Sequence, residues 1–171
     1  MRYPQAFRHQ DSVRLPPCDQ TWQGAGTTHR GLFMSHADLE AALHAVPFLA
    51  PLGVSVSEAA AGRVVLRIPA DKRTRDFEGH VASGALFVVG ELAATLAVAS
   101  HPHLQGRAVR RKHAEITYET TTTRPLLVTA AVTTLPDLSF DEPEVCVSAQ
   151  LMDRDNLVAT VTAKFVVPII R

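Results

Sequence analysis

From Gly53 onward, apolar and polar positions alternate with a period of two. Val54 and Val56 alternate with Ser55 and Ser57, and after Ala61-Gly62 the run RVVLRIP follows, which predicts a β-hairpin. The pattern then breaks. A charged loop, DKRTRDFEGH, spans 71–80, and VASGALFVVGELAATLAVAS at 81–100 is a run of helix formers, apolar nearly all round. Such a helix must be buried on most sides. It ends before Pro102, because a residue preceding proline avoids helical geometry. Strand-like runs return at 108–120, 126–134, 144–152 and 157–167, the last two joined by the turn sequence Asp153-Arg154-Asp155-Asn156. Upstream of Gly53, Ser35 is a helix cap with Asp38 three residues later. Leu39, Leu43 and Val46 recur at helical spacing after it, and Pro47 and Pro51 end that helix.

Residues 1–33, with Pro4, Pro16 and Pro17 and no helical or strand period, read as a disordered arm ahead of a domain at 34–171. Two other readings of this arm stand beside that one: an extension upstream of a start at Met34, or a partner-binding tail. The domain is predicted to be α+β, an antiparallel sheet of five to six strands wrapped around one long central helix. One side of that helix exceeds what the sheet can cover, so a homodimer at least, or a dimer of dimers, is expected.

Composition narrows the class. The chain has 171 residues, 46% hydrophobic and 20% charged, enough for one globular core. Seventeen Lys and Arg balance seventeen Asp and Glu, so no basic field draws in nucleic acid. The longest apolar run, around Val88 to Ala99, is interrupted by Glu91 and falls short of the roughly 18–20 residues of a membrane span. The opening MRYPQAFRHQ lacks a secretory core, and Cys18 and Cys146 form neither a CxxC pair nor a disulfide framework. A soluble, cytoplasmic protein without membrane partner is the expectation.

Glu91 is the one ionisable residue between His80 and His101. A carboxylate on a buried apolar helix costs on the order of several kcal/mol unless it is paired or protonated. Two readings stand: a general base or nucleophile, or a structural carboxylate facing a groove or paired with Arg110 or Lys112. Thr95, one turn on, either positions water or substrate, or back-bonds to the Glu91 carbonyl. Gly79, Ser83 and Gly84 bracket the helix start, where free N–H groups and the dipole can hold a carbonyl oxygen gaining negative charge. Ser83 lacks a GxSxG elbow and reads as the N-cap rather than a nucleophile. Gly84 and Glu91 lie about 10 Å apart along the axis, which suits an acyl carbonyl bound between them.

The remaining features are weaker. Arg107, Arg110, Arg111 and Lys112 form a basic cluster that suits either nucleotide phosphates or a solvated edge strand, with Arg110 and Lys112 on one face and Arg111 on the other. His101 and His103 have no third metal ligand at suitable spacing and are expected to serve the helix dipole. Cys146 reads as core, and neither metal nor cofactor enters the reading.

The stretch DFEGHVASGALFVVGELAA resembles the hotdog-fold acyl-CoA thioesterases of the phenylacetate-degradation type. That family shows Asn-x-x-Gly-x-x-His-Gly-Gly and then an acidic residue seven positions after the last Gly. Here Asp76 stands at the Asn position, Gly79 and Gly84 match glycines, Ala82 and Ser83 replace His and Gly, and Glu91 takes the acidic position. KHAEITYETTTTRPLLVTAAV and DRDNLVATVTAKFVV resemble the strands that follow the family's helix, and the likeness spans roughly 46–167. The resemblance implies thioester hydrolysis with Glu91, Gly84 and Asp76 at the reacting centre. It implies an acyl-CoA or other thioester substrate contacted by Gly79, His80, Ser83, Phe87, Thr95, Arg110 and Lys112. His80 would partly replace the missing His, and Phe77 and Phe87 would set pocket size. The alternative is a hotdog module that binds an acyl or lipid-like ligand without turning it over.

Overall fold

The computed structural model describes residues 35–136 and 143–168. The arm predicted over 1–33, Cys18 and most of the link between 135 and 143 lie outside the described residues. Among the described residues, two α-helices and six strands occur in the order α1 (His36–His44), β1 (Ser55–Ala60), β2 (Arg63–Ile68), α2 (Ser83–Ala99), β3 (Arg110–Tyr118), β4 (Leu126–Thr134), β5 (Glu144–Asp153) and β6 (Asn156–Val166). All strand pairs are antiparallel, and the sheet order is β1-β2-β4-β5-β6-β3. The α+β expectation of a sheet around a long helix is met, with six strands.

Alternation builds the inner face of that sheet. Val64, Leu66 and Ile68 of β2, Val128 and Ala130 of β4, and Val145, Val147, Ala149 and Leu151 of β5 are all buried. The α2 helix lies on this face, and Gly90 sets how closely. A Cβ at Gly90 would come within 2.5 Å of a Val161 methyl carbon, so only glycine fits where the helix crosses β6. The opposite face of β5 carries Cys146, half-buried, which corrects its reading as core: the residues pointing inward are its neighbours Val145 and Val147.

The short elements are set by local chemistry. Ser35 caps α1 in a full capping box with Asp38, as the sequence predicts. Glu40 Oε2 then accepts the Val56 N–H at 2.8 Å and His36 Nε2 meets the Val56 carbonyl at 3.0 Å, so α1 covers the free edge of β1. Gly62, at φ +72°, turns the β1–β2 hairpin. The His101 ring packs on Gly62. Burial, followed by the neighbouring His103, holds the His101 pKa below its ordinary value. That corrects its expected role as a positive charge for the helix dipole, since its surroundings favour the neutral ring. No helix among the described residues is long and apolar enough to cross a membrane.

Candidate functional site

One side of α2 is left incompletely covered. Ala85, Leu86, Val89, Gly90, Ala93, Ala94 and Ala97 are buried, whereas Val88, Glu91 and Leu92 are half-buried and Thr95 is exposed. Val88, Glu91, Leu92 and Thr95 follow helical spacing and form one stripe. They line a groove of about 290 Å³, walled opposite by Val46, Phe48 and Leu49 from the segment after α1 and by Arg111 from β3. Phe48 stands 67% exposed at its rim.

Glu91 and Arg111 are the two charges in this mostly apolar groove. The Glu91 side chain is 18% exposed and forms an ion pair with Arg111. Of the two readings of Glu91, the structure supplies the paired one with a different partner. The sequence pointed to Arg110 or Lys112. The cause is a β-bulge: the β3–β6 register shifts between Arg111 and His113, so the side-chain alternation resets there. Arg111 consequently sits opposite buried Phe165 and faces the helix. Lys112 instead donates to Glu144 at 2.8 Å, and Arg110 is exposed at the start of β3. Arg111 was visible as part of the basic cluster, but its direction depends on a bulge that residue parity does not reveal.

Thr95 takes the back-bonding alternative, donating its hydroxyl to the Glu91 carbonyl at 3.0 Å, while still lining the groove. Phe87 is half-buried and packs against the core.

At the helix start the structure corrects one assignment and explains another. The N-cap is Ala82, with φ −61° and ψ 136°, and no side chain caps the helix; Ser83 is the first helical residue, not the cap. Chain direction is fixed by backbone bonds instead: the Ala82 N–H donates to Thr74 and the Val81 N–H to Thr122, both at 2.8 Å. The N–H groups of Ser83, Gly84 and Ala85 therefore have no intrahelical acceptor, as helix geometry requires. Gly84 is exposed, and a Cβ added there would meet nothing within 4 Å. The Ser83 carbonyl accepts the Tyr118 hydroxyl at 3.3 Å. Seven residues bring Gly84 and Glu91 back to the same helix face, about 10 Å apart, and helical side chains lean toward the N-terminus.

Asp76 is occupied by its own loop. Its Oδ1 accepts the N–H groups of Glu78 (2.9 Å) and His80 (3.0 Å), and its backbone pairs with His80 and Gly79. Gly79, at φ +83°, completes this turn. His80 is half-buried with Nδ1 3.7 Å from Glu78. Asp76 and Ser83 share a separate groove of about 270 Å³ with Leu86, Tyr118 and Glu119, so Asp76 is not brought to the Glu91 groove. Phe77 is 97% exposed, which removes it from any pocket wall in one chain.

A family model described as a domain of unknown function (DUF4442) matches residues 36–167. No curated protein matches the chain. Among solved structures, the fold is similar to a thioesterase from Pseudomonas aeruginosa determined as a Gln-to-Ala variant, 15% identical, with TM-score 0.67 over 79% of this chain and 95% of that one. It is also similar to a thioesterase family protein from Silicibacter pomeroyi, 21% identical, with TM-score 0.63 over 79% and 99%. A third is the phenylacetic acid degradation protein PaaI from Thermus thermophilus, in an Asn-to-Asp variant, 20% identical, with TM-score 0.59 over 71% and 98%. These likenesses show that the chain has the hotdog fold shared by these structures.

Proposed function

The chain belongs to the DUF4442 family, and from that premise and its hotdog fold we propose that it hydrolyses acyl thioesters, with acyl-CoA as the substrate class. The observation that carries this reading is Glu91: a carboxylate on the central helix, paired with Arg111 in a mostly apolar groove, two turns from the open N–H groups of that helix. The apolar walls suit an acyl group. The thioester carbonyl lies between Gly84 and Glu91, its oxygen accepting from the Gly84 N–H and its carbon facing Glu91.

Glu91 then acts as general base on a water. The water oxygen bonds to the acyl carbon as the proton passes to Glu91. The tetrahedral intermediate collapses with cleavage of the carbon–sulfur bond, and the departing thiolate takes the proton from Glu91. Arg111 balances the carboxylate's charge and fixes its direction. Asp76, Gly79 and His80 shape the loop that delivers Ser83 and Gly84, and Thr95 and Phe87 border the acyl path. Arg110, exposed at the start of β3, and Lys112, through its ammonium beside Glu144, border the path of the carrier's phosphates. A second copy of the chain covers the half-exposed stripe of α2.

The ion pair also favours a second reading, in which Glu91 is structural and the groove only binds an acyl ligand. Free-thiol release from a panel of acyl-CoAs, short aliphatic through aryl to long chain, decides between them. The hydrolase reading expects turnover on some member, reduced about a hundredfold or more in Glu91→Gln. Binding of the panel without thiol release would establish the second reading.

A further inference from the structure

Thr95 lines not only the Glu91 groove but also a second cavity, of about 530 Å³, at the C-terminal end of α2. Its middle is apolar, formed by Val98 and Ala99 of the helix, Val109 ahead of β3, and Phe165 of β6. Its far end is not. Gln105 adopts φ −61° and ψ 136°, Gly106 follows at φ +71°, and the Arg107 N–H donates to the Leu104 carbonyl at 3.2 Å. This is a type II turn, which needs glycine at its third residue, and it brings Gln105 and Arg107 together at the cavity. The Gln105 Nε2 is buried and has no hydrogen-bond partner among the described residues. The Arg107 guanidinium is exposed and makes no ion pair with any described residue.

A buried amide donor without an acceptor is an unfavourable feature that a ligand's acceptor would relieve. The cation beside it favours an anion. The apolar stretch between Thr95 and this end suits methylenes. A carrier arm containing amide groups would leave them unpaired against Val98, Ala99, Val109 and Phe165. From Glu91 to Ala99 the helix advances about 12 Å, the reach of a medium-length acyl chain.

We propose that this cavity selects a medium-length acyl group bearing a carboxylate at its far end, held by the Gln105 amide N–H and the Arg107 guanidinium. The inference rests on the hydrolase reading for the position of the thioester and adds the substrate's terminal group to it. The test compares octanedioyl-CoA with octanoyl-CoA on the unmodified protein and on a Gln105→Leu, Arg107→Leu double variant. The expected result is a kcat/KM at least about tenfold higher for the ω-carboxyl substrate, with that preference lost in the variant. Equal rates on the unmodified protein, or a preference that survives in the variant, would overturn the proposal. Calorimetry with monomethyl octanedioate and methyl octanoate reads the cavity without catalysis, so a protein that hydrolyses neither thioester still gives an answer. Tighter binding of the ω-carboxylate that depends on Gln105 and Arg107 supports the cavity's role, and equal binding of the two esters sinks it whatever the fate of the hydrolase reading.

Discussion

The loop of residues 71–81 and the middle of α2 both present a carboxylate at a position matching the thioesterase-like motif, yet the two carboxylates are held differently. Asp76 spends its Oδ1 on two backbone N–H groups of its own turn. Asp71 is likewise held by Arg73, through side-chain and then backbone hydrogen bonds, which bring its pKa down to about 2. Glu91 accepts no backbone hydrogen bond among the described residues and faces an apolar groove, balanced by one long, half-exposed arginine. A carboxylate consumed by local backbone shapes a loop. One whose only counterpart is a side-chain charge is available to a substrate. Matching spacing thus locates the scaffold, and the hydrogen-bond inventory separates the scaffold from the reactive group.

The sharpest way to break this contrast is at the helix start. Gly84 contributes a backbone N–H and no side chain, and space for a Cβ is open there. Gly84→Ala keeps the donor and should retain turnover. Gly84→Pro, tolerated in a helix's first turn, removes the donor and should lower kcat about a hundredfold or more. Equal rates for the two variants would remove Gly84 from the mechanism. Next in size is Arg111→Leu, which leaves Glu91 in its groove without a counter-charge. Steady-state assays should show a loss of about tenfold, partly recovered in Arg111→Lys, because a cation at that position still orients the carboxylate.

Smaller effects are expected in the loop. Asp76→Asn keeps the Oδ1 acceptor, so turnover should stay within about threefold of the unmodified protein. Asp76→Ala loses both hydrogen bonds and should cost about 1–2 kcal/mol in denaturant unfolding. Ser83→Ala touches no capping bond and should shift stability by no more than about 0.5 kcal/mol. A larger loss would mean that Ser83 has a partner the cap geometry does not show.

The architecture was legible because each element has a strong period. Alternation in RVVLRI and LLVTAAVTT, the all-apolar run of α2, and the Ser35–Asp38 pair each map onto the strand, helix or cap observed. Glu91 was legible too, as the one charge on an apolar helix. Its partner was not. The bulge that turns Arg111 inward arises from how β3 pairs with β6, more than 40 residues away in sequence, and strict alternation places Arg110 and Lys112 on the shared face instead. The cap at Ala82 was missed for a related reason. Thr74 and Thr122 fix the helix entry through backbone bonds that no side-chain pattern signals. The turn holding Gln105 and Arg107 was likewise hidden, since only burial shows that the Gln105 amide lacks a partner.

The central claim is that the reactive charge lies in the middle of α2 and not in the preceding loop. Turnover of the best acyl-CoA by Glu91→Gln and Asp76→Asn, measured side by side on variants of equal unfolding midpoint, tests it most directly. The account predicts a loss of about a hundredfold or more in Glu91→Gln and near-normal turnover in Asp76→Asn. Near-normal turnover in Glu91→Gln, with the loss appearing in Asp76→Asn, would contradict it.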